Sequence, residues 1–189
     1  MDDDDRAAAL GTVAEDARGS LPYALLHGEA LVACAAWALG EAGVVIVDLG
    51  TAWDAVAEAG APFVVHDALC PMAPPEFIAA CVERAVAEDV VVVAVRPVTD
   101  TVKRVSVDDA GRAVVGDTVD RDGLLALASP VVLPASVVAS LPGAPTTDLL
   151  RLVRELRQAG PVVLVEAPPG ARRVSSPDEV AVLEALTAR

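Results

Sequence analysis

The 189-residue chain has a single lysine, Lys103, and only two histidines, His27 and His66. Its 14 basic residues face 28 acidic ones, a formal net charge of −14. A field of that sign excludes general attraction to nucleic acid or to an anionic membrane, so an anionic ligand needs a local basic pocket. Aromatic residues make up 3% of the chain against 54% hydrophobic residues, which predicts a core of Val, Leu and Ala. Apolar runs such as VVVVAV at 90–95 are far too short to span a bilayer. The start at Met1, followed by Asp2–Asp5, is the reverse of a cationic signal peptide. The three cysteines, Cys34, Cys70 and Cys81, have no CxxC spacing and read as reduced thiols of a cytoplasmic protein. With two histidines they form no zinc pattern, so no metal ligands are assigned.

What is present is an alternation of valine-rich runs with alanine- and leucine-rich helical stretches. Residues 28–43 predict a helix stopped by Gly43, and 44–49 a strand. Residues 51–60 predict a helix capped by Thr51 and ended by Gly60, and 61–67 a second strand. The prolines at 74 and 75 suit the first turn of a helix over 73–89. Residues 90–95 read as a strand buried on both faces. Helix, strand and helix follow again over 146–160, PVVLVEA and the C-terminal segment. The expectation is one α/β domain over 1–189, with a mostly parallel sheet and helices on both faces. Residues 1–7 are expected to be an acidic, frayed tail. Residues 103–119 are the exception: VKRVSV and RAVVGDTV flank an Asp-Ala-Gly turn and predict a β-hairpin arm.

In an open α/β sheet, ligands bind beyond the carboxyl ends of the strands. Three such ends carry informative residues: Asp48, His66-Asp67 and Thr99-Asp100. Asp48 reads as a helix cap. His66 reads either as a base or as a partly buried histidine at a strand end. Around Asp100 lie Arg96, Lys103 and Arg104. They fit either surface ion pairs, which contribute little, or a carboxylate for sugar hydroxyls or a metal beside cations that neutralise phosphate.

Four stretches taken together carry a resemblance: His66-Asp67-Ala68 with Pro71; Pro97-Val98-Thr99-Asp100-Thr101-Val102-Lys103; Arg121-Asp122-Gly123-Leu124 with Ser129-Pro130; and Arg172-Arg173-Val174-Ser175-Ser176-Pro177. In order and spacing over about residues 60–188 the chain resembles the 2-C-methyl-D-erythritol 4-phosphate cytidylyltransferases. The resemblance implies a Rossmann-like nucleotidyltransferase fold that dimerises through the 103–119 arm. It implies transfer of CMP from CTP to methylerythritol phosphate in isoprenoid biosynthesis, with Mg²⁺ and release of pyrophosphate. It places the acceptor sugar on Asp100 and its phosphate on Arg121, Ser129 and Arg173. Arg121 and Ser129 would serve the partner subunit's site. On the nucleotide side it points to Asp67, Arg18 and Gly19.

The nucleotide side also departs from the family pattern. The family opens with a glycine-rich loop and a Pro-Lys pair, whose backbone N–H groups and cations surround a triphosphate. Here residues 8–26 keep only Arg18-Gly19 of that loop; Glu15 and Asp16 add negative charge, and Tyr23 stands at the lysine's place. Cys70 replaces the arginine of the His-Asp-Ala-Ala-Arg motif. A single catalytic arginine in phosphoryl transfer is worth roughly 10³–10⁵ in rate, so these losses imply an acceptor half kept and a donor half dismantled. Three readings stay open: a non-catalytic binder of a phosphosugar or regulatory partner of a paralogous enzyme, a divergent active cytidylyltransferase, and a nucleotidyltransferase with another donor.

Overall fold

The computed structural model of the protein describes residues 9–48 and 50–188, so the acidic tail expected over 1–7 lies outside the described residues. Strand β1 (Ala9–Ala14) is followed by a 3-10 turn at Leu21–Tyr23 and a small ribbon of β2 (Leu25–Leu26) and β3 (Glu29–Ala30). Helix α1 (Leu31–Glu41), β4 (Val44–Ile46), α2 (Trp53–Glu58), β5 (Phe63–Asp67), α3 (Pro75–Glu88) and β6 (Val91–Pro97) come next. Then follow β7 (Val102–Val107), β8 (Ala113–Val119), β9 (Leu125–Leu133), α4 (Ala135–Ser140), α5 (Leu149–Ala159), β10 (Val162–Glu166), a 3-10 turn at Pro169–Ala171 and α6 (Pro177–Thr187).

Six strands form one sheet in the order β10-β6-β9-β5-β1-β4. β1 is parallel to β4 and β5, and β10 is parallel to β6, while β9 runs antiparallel to both β5 and β6. The sheet is therefore mostly parallel, with one reversed strand in its middle. Alternation within the strands divides the core in two. Val64 and Val92 face α1 and α3 through Leu39, Ile78 and Ala85. Val65, Val91 and Val93 face the opposite helices through Val56, Val138, Leu152 and Leu156. Full burial of each such valine or leucine contributes about 1.5–3 kcal/mol, which lets a core nearly free of aromatics suffice. A third cluster, including Leu26, Leu31, Leu69, Val180 and Leu183, docks α6.

Two strands of the six-stranded sheet were not legible as strands, nor was the small β2–β3 ribbon, whose Glu29–Ala30 falls within the helix expected over 28–43. β1 contains Gly11, where an added Cβ would meet Val44 Cγ1 at 2.7 Å and the Val64 carbonyl at 2.8 Å. The glycine lets β4 and β5 close on β1. β9 contains Pro130, a residue normally absent from central strands; its pairing with β6 shifts between Val93 and Val95, beside that proline. The expected caps of α2 are corrected: Ala52 stands at its N-cap with no side-chain bond, and the Asp48 carbonyl only closes a turn to the Thr51 amide. Gly43 and Gly60 end their helices with φ of 80° and 64°.

β7 and β8 pair with each other in a separate two-stranded sheet. In the turn between them, Asp108 accepts from the amides of Ala110 and Arg112, and Gly111 has φ 77°. Val105, Val107 and Val115 are exposed on this arm, and Val105 stands opposite Val115.

Candidate functional site

Reversal of β9 brings its first residues, Leu125–Leu127, to the edge where the parallel strands have their carboxyl ends. That edge holds a cleft of about 760 Å³. Leu125–Leu127 form one wall, and Thr146–Leu150, leading into α5, form another. Asp16–Arg18 after β1, Asp67 at the end of β5 and Arg173 after β10 complete it. Each polar group is thus delivered by a chain segment leaving the sheet, as open α/β folds place their ligand sites.

Asp67 is the centre of the cleft. Its side chain is 1% exposed, yet it is charged. Arg18 Nε donates to Oδ1 at 2.7 Å, Arg173 Nε to Oδ2 at 3.0 Å, and the Leu69 amide to Oδ1 at 3.0 Å. Burial is the largest influence on this carboxyl and by itself raises its pKa. The bonds from Arg18 and Leu69, the Arg18 charge and the bond from Arg173 together outweigh it, so the group titrates below its usual value.

Arg18 owes its inward course to the loop. Ala17 and Gly19, on either side, have φ of 58° and 60°. A left-handed alanine costs about 1–2 kcal/mol, which the bonds made by the arginine offset. Besides Asp67, Arg18 donates Nη1 to the Asp16 carbonyl at 2.5 Å and Nη2 to the Thr147 carbonyl at 3.1 Å. Each of its three nitrogens is engaged and its side chain is 9% exposed. Arg173 differs: its side chain is 40% exposed, and its Nη groups make no hydrogen bond among the described residues. It is a guanidinium aimed by Asp67 and still able to bind.

Beneath the cleft, Ser129 and His66 are both fully buried. The Ser129 hydroxyl lies 2.6 Å from His66 Nδ1 and accepts from the Asp67 amide at 2.8 Å. Burial pushes the His66 pKa down to about 4, against the opposing effects of the Asp67 charge and the Cys70 backbone. His66 is a neutral interior imidazole, not a surface base. Cys70 is buried too, and desolvation raises its thiol pKa far above the usual range.

Of the residues expected from sequence, Arg18, Asp67 and Arg173 meet in the cleft, with Gly19 beside them on the loop. Ser129, expected as a phosphate contact, faces the interior. Asp100 and Arg121 sit at the base of the arm, where Arg121 Nη1 donates to the Thr99 carbonyl. The cationic cluster expected around Asp100 is dispersed. Arg96 donates to the carbonyls of Ala167 and Pro168, and Lys103 reaches across the arm to Thr118 Oγ1 at 2.6 Å. Among the described residues no ion pair to Asp100 is formed. Sequence reading missed Thr147 and Asp148; the Thr-Thr-Asp preceding α5 signals a cap, which Asp148 supplies to the Arg151 amide, but nothing local places it against residues 16–18.

Mg²⁺ does not fit these residues as a protein-held ion. Asp67 has both oxygens on arginines, and among the described residues no three His, Cys, Asp or Glu side chains gather to hold a metal. An ion here would depend on phosphate oxygens and water.

The architecture is that of Rossmann-like nucleotidyltransferases. It is similar over 96% of the chain to a crystal structure of 4-diphosphocytidyl-2C-methyl-D-erythritol synthase from Anaerococcus prevotii (TM-score 0.63, 15% identity, 96% of that chain). It is likewise similar over 95% to 2-C-methyl-D-erythritol 4-phosphate cytidylyltransferase from Thermus thermophilus (TM-score 0.65, 19% identity, 98% of that chain). At these identities the likeness defines the fold. Family follows from sequence: residues 48–189 match the IspD family, 2-C-methyl-D-erythritol 4-phosphate cytidylyltransferase, and the chain belongs to it. Relatives include a bifunctional enzyme IspD/IspF of Anaeromyxobacter sp. (strain Fw109-5), 40% identical over 134 residues, 66% of this chain and 34% of that protein. The 2-C-methyl-D-erythritol 4-phosphate cytidylyltransferase of Nocardia farcinica is 37% identical over 129 residues, 67% of this chain and 54% of that protein. The chain thus spans about a third to a half of the length of the curated relatives it matches. Among the described residues no helix is long and apolar enough to cross a membrane.

Proposed function

We propose that this chain is a cytoplasmic, phosphosugar-binding member of the cytidylyltransferase family in which the CTP side is degenerate. One observation carries the reading: Arg18, the cation left in the donor loop, commits three of its five N–H donors and its charge to Asp67, Asp16 and Thr147, with its side chain only 9% exposed. A triphosphate needs exposed, unneutralised cations, and the loop adds the negative charges of Glu15 and Asp16 instead. Tyr23, at the lysine's place, donates its hydroxyl to Glu15 at 3.0 Å, so that pair offers no cation either.

The acceptor side keeps its means. Arg173, oriented through Nε by Asp67, presents two Nη groups to a phosphate and can hold it bidentately. Asp100 and Arg121 at the arm's base would meet the sugar and phosphate, with Arg121 serving a partner's site. The arm's exposed valines suit pairing with a second copy, or with a paralogous enzyme that this chain regulates. No nucleic acid or membrane partner is part of the proposal.

A second reading, an active divergent cytidylyltransferase using CTP and Mg²⁺, has its own support. Arg18 and Arg173 converge on one carboxylate, so the shortened loop still delivers a cation to the cleft. Calorimetry with methylerythritol phosphate and with CTP–Mg²⁺ separates the two. The first reading expects binding of methylerythritol phosphate alone. Micromolar CTP binding with pyrophosphate release establishes the second reading, and no binding of either ligand defeats both.

A further inference from the structure

We propose that Ser129 and His66 are positioning residues that hold Asp67, and through it Arg173, in the phosphate-binding arrangement. This rests on Arg173 being the phosphate-binding group. β5 and β9 pair through Phe63↔Leu133, Val64↔Val132 and Val65↔Val131. Two residues further along β5, the Asp67 amide meets the Ser129 hydroxyl in place of a carbonyl. A buried N–H without an acceptor is costly, so the hydroxyl takes over where the backbone pairing stops.

That hydroxyl has a second fixed partner. Ser129 Oγ accepts from the Asp67 amide at 2.8 Å and shares a hydrogen bond of 2.6 Å with His66 Nδ1. In either neutral tautomer the ring fixes the hydroxyl: Nδ1 accepts from it when the imidazole hydrogen is on Nε2, and donates to it when the hydrogen is on Nδ1. A neutral histidine therefore orients a serine, the serine anchors the Asp67 backbone, and the two Asp67 oxygens direct Arg18 and Arg173. Neither His66 nor Ser129 lines the cleft, while Asp67 and Arg173 do. The side-chain contacts of Ser129 lead to the cleft through Asp67.

The test uses the 189-residue chain, titrating the Asp67 carboxyl by ¹³C NMR and measuring affinity for inorganic phosphate and for methylerythritol phosphate. The groups facing that carboxyl are Arg18, Arg173, His66 and Cys70, and Ser129→Ala alters none of them. Ser129→Ala is expected to move the Asp67 midpoint upward and weaken both phosphate ligands about tenfold. Ser129→Thr, the residue of the family pattern, should restore both. An unmoved midpoint in Ser129→Ala, or no rescue by threonine, overturns the proposal. If the unmodified chain binds neither phosphate probe, the functional reading fails while the midpoint still decides the positioning role. Should Ser129→Ala not fold, His66→Asn and His66→Leu replace it. Asparagine keeps an acceptor near the place of Nδ1 and should hold the midpoint, whereas leucine should raise it; equal midpoints refute the relay.

Discussion

Replacing Asp67 with alanine tests the physical heart of the cleft. The carboxylate is 1% exposed and its strongest partner, Arg18, has a side chain only 9% exposed. Removing one member of a buried ion pair costs about 3–5 kcal/mol, because the remaining charge loses its counter-charge and has little access to water. Arg173, 40% exposed, can turn to solvent, so its lost pair adds about 1 kcal/mol or less. The Leu69 amide also loses its acceptor, at about 1–3 kcal/mol, partly the same relaxation counted again. The expectation is a loss of about 3–5 kcal/mol, a large part of the roughly 5–15 kcal/mol available to a domain. In urea denaturation with m of about 1–3 kcal/mol/M, that lowers the midpoint by about 2 M at unchanged m. Arg18→Met combined with Asp67→Ala should be more stable than Asp67→Ala alone, since the double variant leaves no orphan cation. A midpoint within about 0.5 M of the parent for Asp67→Ala, or strict additivity in the cycle, would refute the account of Arg18 as a buried, charge-paired group.

Three further outcomes follow from the same geometry. Arg173→Ala should weaken methylerythritol phosphate binding by about 1.5–3 kcal/mol in calorimetry, the range for a charge-assisted bond; unchanged affinity counts against its role. If the hairpin is the proposed dimer arm, deletion of 105–117 should yield monomers in sedimentation, and an unaltered profile removes the arm from assembly. Acid should destabilise the fold before ordinary carboxylates titrate. His66 is held near 4 when folded and returns to about 6.5 unfolded, so protons favour the unfolded chain as pH falls from 6.5 to 4, by about 3 kcal/mol in all. Asp67, held below its usual value, adds to the loss at lower pH still, as its stabilisation vanishes on passing through its folded pKa. A His66→Asn chain whose stability slopes equally between pH 6.5 and 4 would dispose of the histidine's part.

Patterning by itself determined the alternation of strands and helices. β6 was legible because its valine run suits a strand covered on both sides, β5 and β10 because short apolar runs stand between helical stretches, and the arm because its turn residues sit between two short strand patterns. β1 and β9 were hidden because the residues that make them possible, Gly11 and Pro130, are strand breakers when read locally. Only the neighbours explain them: Gly11 by the approach of Val44 and Val64, Pro130 by a shift in pairing with β6. Motifs likewise singled out Arg18, Asp67 and Arg173; the two arginines lie 49 and 106 residues from the aspartate along the chain. That both arginines share one carboxylate, that Arg18 is bonded at every nitrogen and buried while Arg173 is neither, and that Ser129 faces inward were decided by tertiary structure. The reason is physical: the sequence specifies which groups carry charge, but burial and the number of partners decide which charge remains free for a ligand.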